Sequence, residues 1–213
     1  KFKPDSVELM DHYILECTKE NIEQSKNRFF VQGDPQAILV VEFLRDTQEE
    51  IVEIAKEMEE LMRSKNLGFH FPIVFGEDTT KVWNLRKAGL GLLSNIPGDA
   101  KAVAVIEDTA VDVNDLPAFI EDFNAILKER NLSCVHYAHA ATGELHLRPI
   151  IDLKTKEGTA LFRTIATDIA HLVKKYKGSL SGEHGDGRLR GEFIPLMLGE
   201  EIYQMFIQVK NTW

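Results

Sequence analysis

The stretch of residues 133–150 constrains the fold more than any other part of the sequence. Two runs rich in β-branched, aromatic and histidine residues flank the short segment "AATG" at residues 140–143. So short a connection can join only antiparallel neighbours, because a parallel crossover needs a dozen or more residues. The stretch therefore predicts a β-hairpin in which His139 lies opposite Glu144.

Helical and strand patterns are interspersed along the rest of the chain. Helices are predicted from the apolar periodicity and the capping residues, beginning near Asp5, Asp46, Asp78 and Asp115 and covering residues 161–173 and 199–209. Strands are predicted over residues 36–45, 69–75 and 102–106. With the hairpin, these patterns indicate an α+β fold with helices packed on one face of a largely antiparallel sheet. The length of 213 residues suits one domain, or two small ones.

The composition excludes several classes of partner. Lys and Arg number 25 against 34 acidic residues, a net charge of −9, so no basic surface for nucleic acid is expected. No apolar run approaches the roughly 18 residues of a transmembrane segment, and the first residues lack the apolar core of a signal peptide.

Cys17 and Cys134 lie in unrelated patterns, which predicts free thiols in a reducing compartment. We therefore expect a cytoplasmic protein. The chain begins with Lys1 rather than Met, and we expect it to be part of a longer protein.

A glycine-rich segment, "SGEHGDGRLR" at residues 181–190, follows the longest predicted helix. Three glycines within six positions enclose the pair Glu183 and His184. Glycine lets a ligand approach the main chain closely, and a carboxylate beside an imidazole can supply a metal ligand, a proton acceptor, or both. The alternative is an ordinary surface turn.

The hairpin register places a second set of polar residues together. Side chains alternate between the faces of a sheet, so one face carries Tyr137, His139, Glu144, His146 and Arg148. His139 and His146 are then diagonal neighbours, close enough to share a metal ion. Glu183 would complete a set of two histidines and one carboxylate, with His184 left as a base. The alternative is that these histidines are structural.

Three ordered motifs now indicate a family. "HAATGELH" at residues 139–146 resembles a "GHxGDGNLH" signature, "SGEHGDG" at 181–187 resembles "SxEHGxG", and "WNLR" at 83–86 resembles "WxLR". All three are signatures of the C-terminal domain of FAD-linked oxidases. This group includes glycolate oxidase, D-lactate dehydrogenase and D-2-hydroxyglutarate dehydrogenase relatives in the vanillyl-alcohol-oxidase flavoprotein superfamily. "RKAGLGLL" and "SGEHGDGRLR" look most like the long bacterial form fused to an iron–sulfur module.

The resemblance implies that residues 1–213 are the substrate or cap domain of a longer flavoprotein, with a ferredoxin-like α+β fold. FAD would be bound mainly by an N-terminal domain that this sequence lacks, and that domain would be a partner. An iron–sulfur cluster would lie elsewhere in the parent chain. Through the parent protein, attachment at the inner face of a membrane is an alternative to a free cytoplasmic location.

The resemblance also implies roles for individual residues. His139, His146 and Glu183 match the ligands of a divalent metal, Zn or Mn, and His184 matches the base that takes the hydroxyl proton. Arg86 matches the residue that binds the substrate carboxylate. The chain departs from the family pattern at four positions, which are Ala141, Thr142, Glu144 and Arg148. Arg148 could supply a second carboxylate contact, which would suit a dicarboxylate.

The function implied is FAD-dependent oxidation of a small D-2-hydroxy acid of the D-lactate, glycolate or D-2-hydroxyglutarate type, with metal-assisted hydride transfer to FAD. On this hypothesis the chain alone is inactive. Two alternatives stay open, namely a non-catalytic scaffold or interaction domain, and a stand-alone metal hydrolase that uses the same ligands.

Overall fold

The computed structural model describes all residues of the chain and divides them into two compact units, Lys1–Ile96 and Pro97–Trp213. Each unit combines helices with antiparallel strands, and the predicted α+β class is confirmed. None of the helices combines the length and the apolar character that a membrane crossing requires.

The first unit contains two strands and three helices. They are β1 (Ser6–Asp11), α1 (His12–Glu20), β2 (Ala37–Glu42), α2 (Gln48–Ser64) and α3 (Glu77–Leu92), with short 3-10 turns at Gln24–Arg28 and Leu93–Asn95. β1 pairs antiparallel with β2, from Ser6 opposite Glu42 to Asp11 opposite Ala37. Helix α1 packs against α3, and Ile14 and Leu85 are fully buried.

Two sequence predictions in this unit are wrong. The helix expected to begin at Asp5 is preceded by strand β1, and its cap is Asp11, whose side chain accepts a hydrogen bond of 3.2 Å from the amide of Ile14. The strand expected over residues 69–75 is absent. Pro72 lies in the middle of that segment, and a proline has no N–H to donate to a strand ladder.

The second unit has four strands and five helices. In chain order they are β3 (Lys101–Ala102), β4 (Thr109–Ala110), α4 (Leu116–Glu129), β5 (Cys134–His139), β6 (Glu144–Ile151), α5 (Lys156–Lys175), α6 (Gly187–Arg190), α7 (Ile194–Leu198) and α8 (Glu200–Thr212). β6 pairs antiparallel with β5 along one edge and with β3 and β4 along the other. The strand predicted over residues 102–106 is thus replaced by two short strands on either side of a loop.

The hairpin of β5 and β6 has the predicted register. His139 lies opposite Glu144, and Tyr137 lies opposite His146. The face that carries His136 packs against the helices, since the ring of Phe123 in α4 lies 5.9 Å from that of His136. The opposite face carries the predicted site residues of the hairpin, His139, His146 and Arg148.

Helix α5 confirms the longest predicted helix. Thr155 caps its N-terminus by accepting a hydrogen bond of 2.9 Å from the amide of Gly158. Its apolar stripe includes Ile165, Ile169 and Val173, all fully buried. Lys174 and Lys175 complete the last turn, where positive charge is favourable.

The hairpin turn requires glycine at position 143, and this requirement can be tested. The φ of Gly143, 77°, favours glycine, and an added Cβ would lie 2.0 Å from the carbonyl oxygen of Val111. We expect Gly143→Ala to lower the free energy of unfolding by about 2–4 kcal/mol, from backbone strain and overpacking together, as measured by urea denaturation. Gly98→Ala is the matched control, because Gly98 has a φ of 88° and no atom within 4 Å of an added Cβ. Equal losses in the two variants would show that the contact with Val111 does not matter.

Candidate functional site

The three side chains predicted as metal ligands come together in the second unit. Atoms of His139, His146 and Glu183 that could ligate a metal all lie within 4.8 Å of one another. Nε2 of His139 lies 3.8 Å from Oε1 of Glu183, and Nε2 of His146 lies 3.7 Å from the same oxygen. His146 is buried, whereas the side chain of Glu183 is about half exposed, with 48% of its surface accessible.

His184 lies beside this cluster, where the sequence prediction placed a base. Its Nε2 is 3.2 Å from Oε1 of Glu183. Its ring stacks on that of His146, with centroids 5.6 Å apart and planes inclined by 26°. The side chain is 47% exposed, so a small molecule can reach the imidazole.

The glycine-rich loop is held in place by Asp108. The carboxylate of Asp108 accepts hydrogen bonds from the amides of Glu183 (2.9 Å) and His184 (3.0 Å) and from the hydroxyl of Ser181. Its carbonyl oxygen accepts a hydrogen bond of 2.7 Å from the amide of Gly182. Asp108 is fully buried and has a φ of 78°, an uncommon conformation for a residue with a side chain. These bonds fix the backbone from which the side chains of Glu183 and His184 project.

Asp108 and Glu144 form a coupled carboxyl pair. Burial alone would raise the pKa of Asp108, but the hydrogen bonds from Ser181, Glu183 and His184 outweigh it and hold that pKa at about 2. Burial, the hydrogen bond to Asp108 and the charge of Glu183 raise the pKa of Glu144 to about 7. When the pair shares a proton, that proton therefore resides on Glu144.

A second buried carboxylate, Glu107, contacts the side chains that project from the hairpin. It accepts a hydrogen bond of 2.9 Å from the hydroxyl of Tyr137 and pairs with the guanidinium of Arg148. Its Oε1 also lies 3.6 Å from Nδ1 of His146. The ring of Tyr137 stacks on that of His146 at 4.7 Å, and burial together with the Glu107 charge raises the pKa of Tyr137.

The donor set and the charge of the cluster suit a divalent cation. Two imidazoles and a carboxylate are ligands that Zn²⁺ and Mn²⁺ accept in proteins. Counting this carboxylate, Glu183, the carboxyl groups at the site are Glu107, Asp108, Glu144 and Glu183. Two guanidinium groups, Arg148 and Arg190, oppose these four, so negative charge is in excess whether or not Glu144 carries a proton. The residues present therefore fit the predicted metal.

The two predicted substrate-binding arginines are both in ion pairs. Arg86 lies in α3 of the first unit, is buried, and contacts Oε2 of Glu8 through Nε (3.1 Å) and Nη2 (2.8 Å). Arg148 donates from Nε to the hydroxyl of Tyr137 (3.2 Å) and pairs with Glu107 through Nη2. Binding of a substrate carboxylate by either residue stays a prediction.

Sequence reasoning missed Glu107 and Asp108. The predicted strand over residues 102–106 ends one residue before them, and no role was given to the two acids. A signal existed, because two adjacent acidic residues directly follow a strongly apolar run, "AVAVI". Arg190 lies in the glycine-rich motif, and no role was predicted for it. It stabilises the loop by donating hydrogen bonds to the carbonyl oxygens of Gly185 (2.7 Å) and Glu107.

Comparisons with known proteins agree on one family. A family model described as the C-terminal domain of FAD linked oxidases matches residues 1–213. The chain is 34% identical over 219 residues to a D-2-hydroxyglutarate dehydrogenase of Pseudomonas putida, covering 99% of this chain and 22% of that protein. It is 32% identical over 218 residues to the Escherichia coli protein of the same name, covering 98% and 21%.

A more distant relative is the mitochondrial D-lactate dehydrogenase [cytochrome] of Arabidopsis thaliana, 26% identical over 151 residues, covering 70% of this chain and 26% of that protein. The chain spans about a fifth of the length of the two bacterial relatives.

The role of Asp108 can be tested by Asp108→Asn. Asparagine tolerates a positive φ, but its amide has one acceptor oxygen, so an N–H group would face one of the loop donors. We expect a loss of about 1–3 kcal/mol in the free energy of unfolding and faster hydrogen exchange at the amides of Glu183 and His184. Asp186→Asn is the control, since the Asp186 side chain makes no capping hydrogen bond. Unchanged exchange at both amides in Asp108→Asn would show that the loop is held by other contacts.

Proposed function

Because the chain belongs to the family of C-terminal domains of FAD linked oxidases, we propose that it forms the substrate-binding and catalytic portion of an FAD-dependent D-2-hydroxy acid dehydrogenase. The observation that carries this proposal is the cluster of His139, His146, Glu183 and His184 on one face of the hairpin. In this cluster, His139, His146 and Glu183 are suited to bind a metal. The imidazole of His184 is not one of these three ligands. A domain of this kind binds the hydroxy acid and removes a proton from it.

His139, His146 and Glu183 would hold one divalent cation, Zn²⁺ or Mn²⁺. Such an ion, when bound, polarises the hydroxyl and carboxylate oxygens of a hydroxy acid and lowers the pKa of the hydroxyl group. The protein residues provide the rigidity that this requires. The two histidines project from paired strands, and the carboxylate projects from a loop that Asp108 anchors.

His184 would accept the hydroxyl proton of the substrate. Its Nε2 lies 3.2 Å from Glu183 Oε1, at the edge of the ligand cluster, and would be the accepting nitrogen once that carboxylate is bound to a cation. As the substrate hydroxyl transfers its proton to His184, the C–H bond at the carbon that bears this hydroxyl would break. Its hydrogen would leave with both electrons of that bond, as a hydride. This hydride would pass to FAD held by another domain of the enzyme, and the product would be the 2-oxo acid. A positioned base of this kind contributes roughly 10²–10⁴-fold to the rate.

The substrate we favour is a D-2-hydroxy dicarboxylate such as D-2-hydroxyglutarate. Both bacterial relatives above are named D-2-hydroxyglutarate dehydrogenases, and two arginines are available in this chain for two carboxylates. Arg86 would bind one carboxylate and Arg148 the other, because a guanidinium binds carboxylates in a bidentate manner. Each substrate carboxylate would bind its arginine alongside the glutamate that already pairs with it, which is Glu8 for Arg86 and Glu107 for Arg148.

The remaining parts of the proposal concern the larger protein. FAD would be bound mainly by a separate domain, which is the expected partner of this chain, and an iron–sulfur cluster would receive the electrons elsewhere in the parent enzyme. A cytoplasmic location, free or at the inner face of a membrane, belongs to the same proposal. These statements rest on the resemblance and on the cysteine pattern of the sequence.

The metal site is tested by metal analysis of His146→Ala. After removal of bound metal with a chelator and re-addition of Zn²⁺ or Mn²⁺, we expect one ion per wild-type chain and none in the variant, because a buried ligand is lost. His171→Ala, on the exposed side of α5, serves as the control and should bind metal normally. Full metal content in His146→Ala would exclude the ligand set.

The base is tested by His184→Ala in the flavin-containing enzyme. We expect kcat for the hydroxy acid to fall by roughly 10²–10⁴-fold while the metal content barely changes. Glu183→Ala, the neighbouring substitution, should lose both metal and activity. Loss of metal in His184→Ala with an unaltered pH–rate profile would contradict the roles assigned to these two residues.

The same enzyme separates the proposal from the two alternatives. A hydroxy acid dehydrogenase must reduce its flavin when substrate is added under anaerobic conditions, which bleaches the yellow absorbance. A metal hydrolase would act in the absence of flavin, and a scaffold domain would leave the flavin oxidised.

A further inference from the structure

Glu107 is a buried carboxylate that touches three side chains of the site. Its Oε1 accepts a hydrogen bond from the Tyr137 hydroxyl and faces Nδ1 of His146, and its Oε2 pairs with Arg148. Only 5% of the residue is exposed. A buried charge is costly unless it is paired and hydrogen-bonded, so a fixed arrangement of its partners stabilises this carboxylate.

We propose that Glu107 is a positioning residue that orients His146 for metal binding and holds Arg148 at the substrate side of the same face. The inference rests on the proposed function, since it concerns the metal and the substrate of that site. It assigns Glu107 no contact with the substrate or with the reacting atoms.

The direct effect of Glu107 on His146 is electrostatic. The two ring nitrogens of His146 face different groups, with Nδ1 3.6 Å from Glu107 and Nε2 3.7 Å from Glu183. A carboxylate beside Nδ1 favours the tautomer with the proton on that nitrogen, which leaves the lone pair of Nε2 for a metal. Glu144 is the other carboxylate near Nε2, at 3.9 Å.

The indirect effect passes through Tyr137. Glu107 fixes the hydroxyl of Tyr137, and the ring of Tyr137 lies nearly parallel to His146, with 4.7 Å between centroids and 21° between planes. The stacked phenol limits rotation of the imidazole about its χ2 angle. Tyr137 and His146 are opposite each other in the β5–β6 register, so the strands already hold the two rings side by side.

The same carboxylate places Arg148. Its guanidinium is held by Glu107 and by the Tyr137 hydroxyl, and it lies two residues after His146 on the same face of β6. One acidic group thereby fixes the spacing between a metal ligand and a substrate-binding cation. This spacing would set the length of the acid that can reach both.

The test is the Zn²⁺ affinity of the chain with Glu107→Gln, measured by competition with a chromophoric chelator. Glutamine keeps the size and an acceptor for Tyr137 but removes the negative charge that faces His146 and Arg148. We expect the affinity to fall roughly 10–100-fold, the usual effect of losing a group that orients a ligand. Tyr137→Phe, which keeps the stacked ring, should weaken binding less. Glu121→Gln, exposed on α4, is the matched control and should bind Zn²⁺ as the wild type does.

Each outcome decides the inference. Wild-type affinity in a folded Glu107→Gln would overturn it while leaving the metal site intact. If Glu107→Gln does not fold, Glu107→Asp and Tyr137→Phe are measured instead, and wild-type affinity in both overturns it. If the wild-type chain binds neither Zn²⁺ nor Mn²⁺, the proposed metal site fails. The ¹⁵N chemical shifts of the His146 ring then decide, because the inference requires them to change in Glu107→Gln and is refuted if they do not.

Discussion

The carboxylate of Asp108 accepts hydrogen bonds from the backbone of Glu183 and His184, and the rest of the site depends on these bonds. Without them the glycine-rich loop would have no fixed position relative to the hairpin, since glycines lose more conformational freedom on ordering than other residues. A fully buried carboxylate, in turn, tolerates burial only when donors surround it. Loop and carboxylate therefore stabilise each other, although each lies in a segment with little regular structure.

Two consecutive acidic residues, Glu107 and Asp108, position different parts of the site. Glu107 holds side chains that project from the hairpin, and Asp108 holds the backbone of the loop. Arg190 links the two, because it donates to the carbonyl of Glu107 and lies 3.5 Å from Oδ2 of Asp108. Breaking one partner of such a buried network costs more than its pairwise contacts suggest, because an uncompensated charge remains inside.

The hairpin half of the site could be predicted from the sequence, whereas for the two acids behind it the sequence signals their place after an apolar run but not their partners. The two-residue period of a strand and a four-residue turn determine which side chains share a face, so His139 and His146 follow from local rules. Asp108 interacts with residues more than 70 positions away, and no local pattern reports such a contact. β1 was missed for a related reason, since this six-residue strand follows Asp5 and ends at Asp11, and either aspartate could cap a helix. Tertiary pairing with β2 decides between them.

The two halves of the site differ in burial, and two glycines shape the loop half. His146 is buried on a central strand, whereas Glu183 and His184 are half exposed on the loop. Gly182 is needed for close approach, because an added Cβ would lie 3.0 Å from the Glu144 side chain. Gly185 has open space around it and a φ of 80°, so it is needed for the turn alone. The inner part of the loop lies against Glu144 and Asp108. A site that must admit a small molecule benefits from this arrangement, since the strand and the anchored loop backbone fix the side chains while His184 stays accessible.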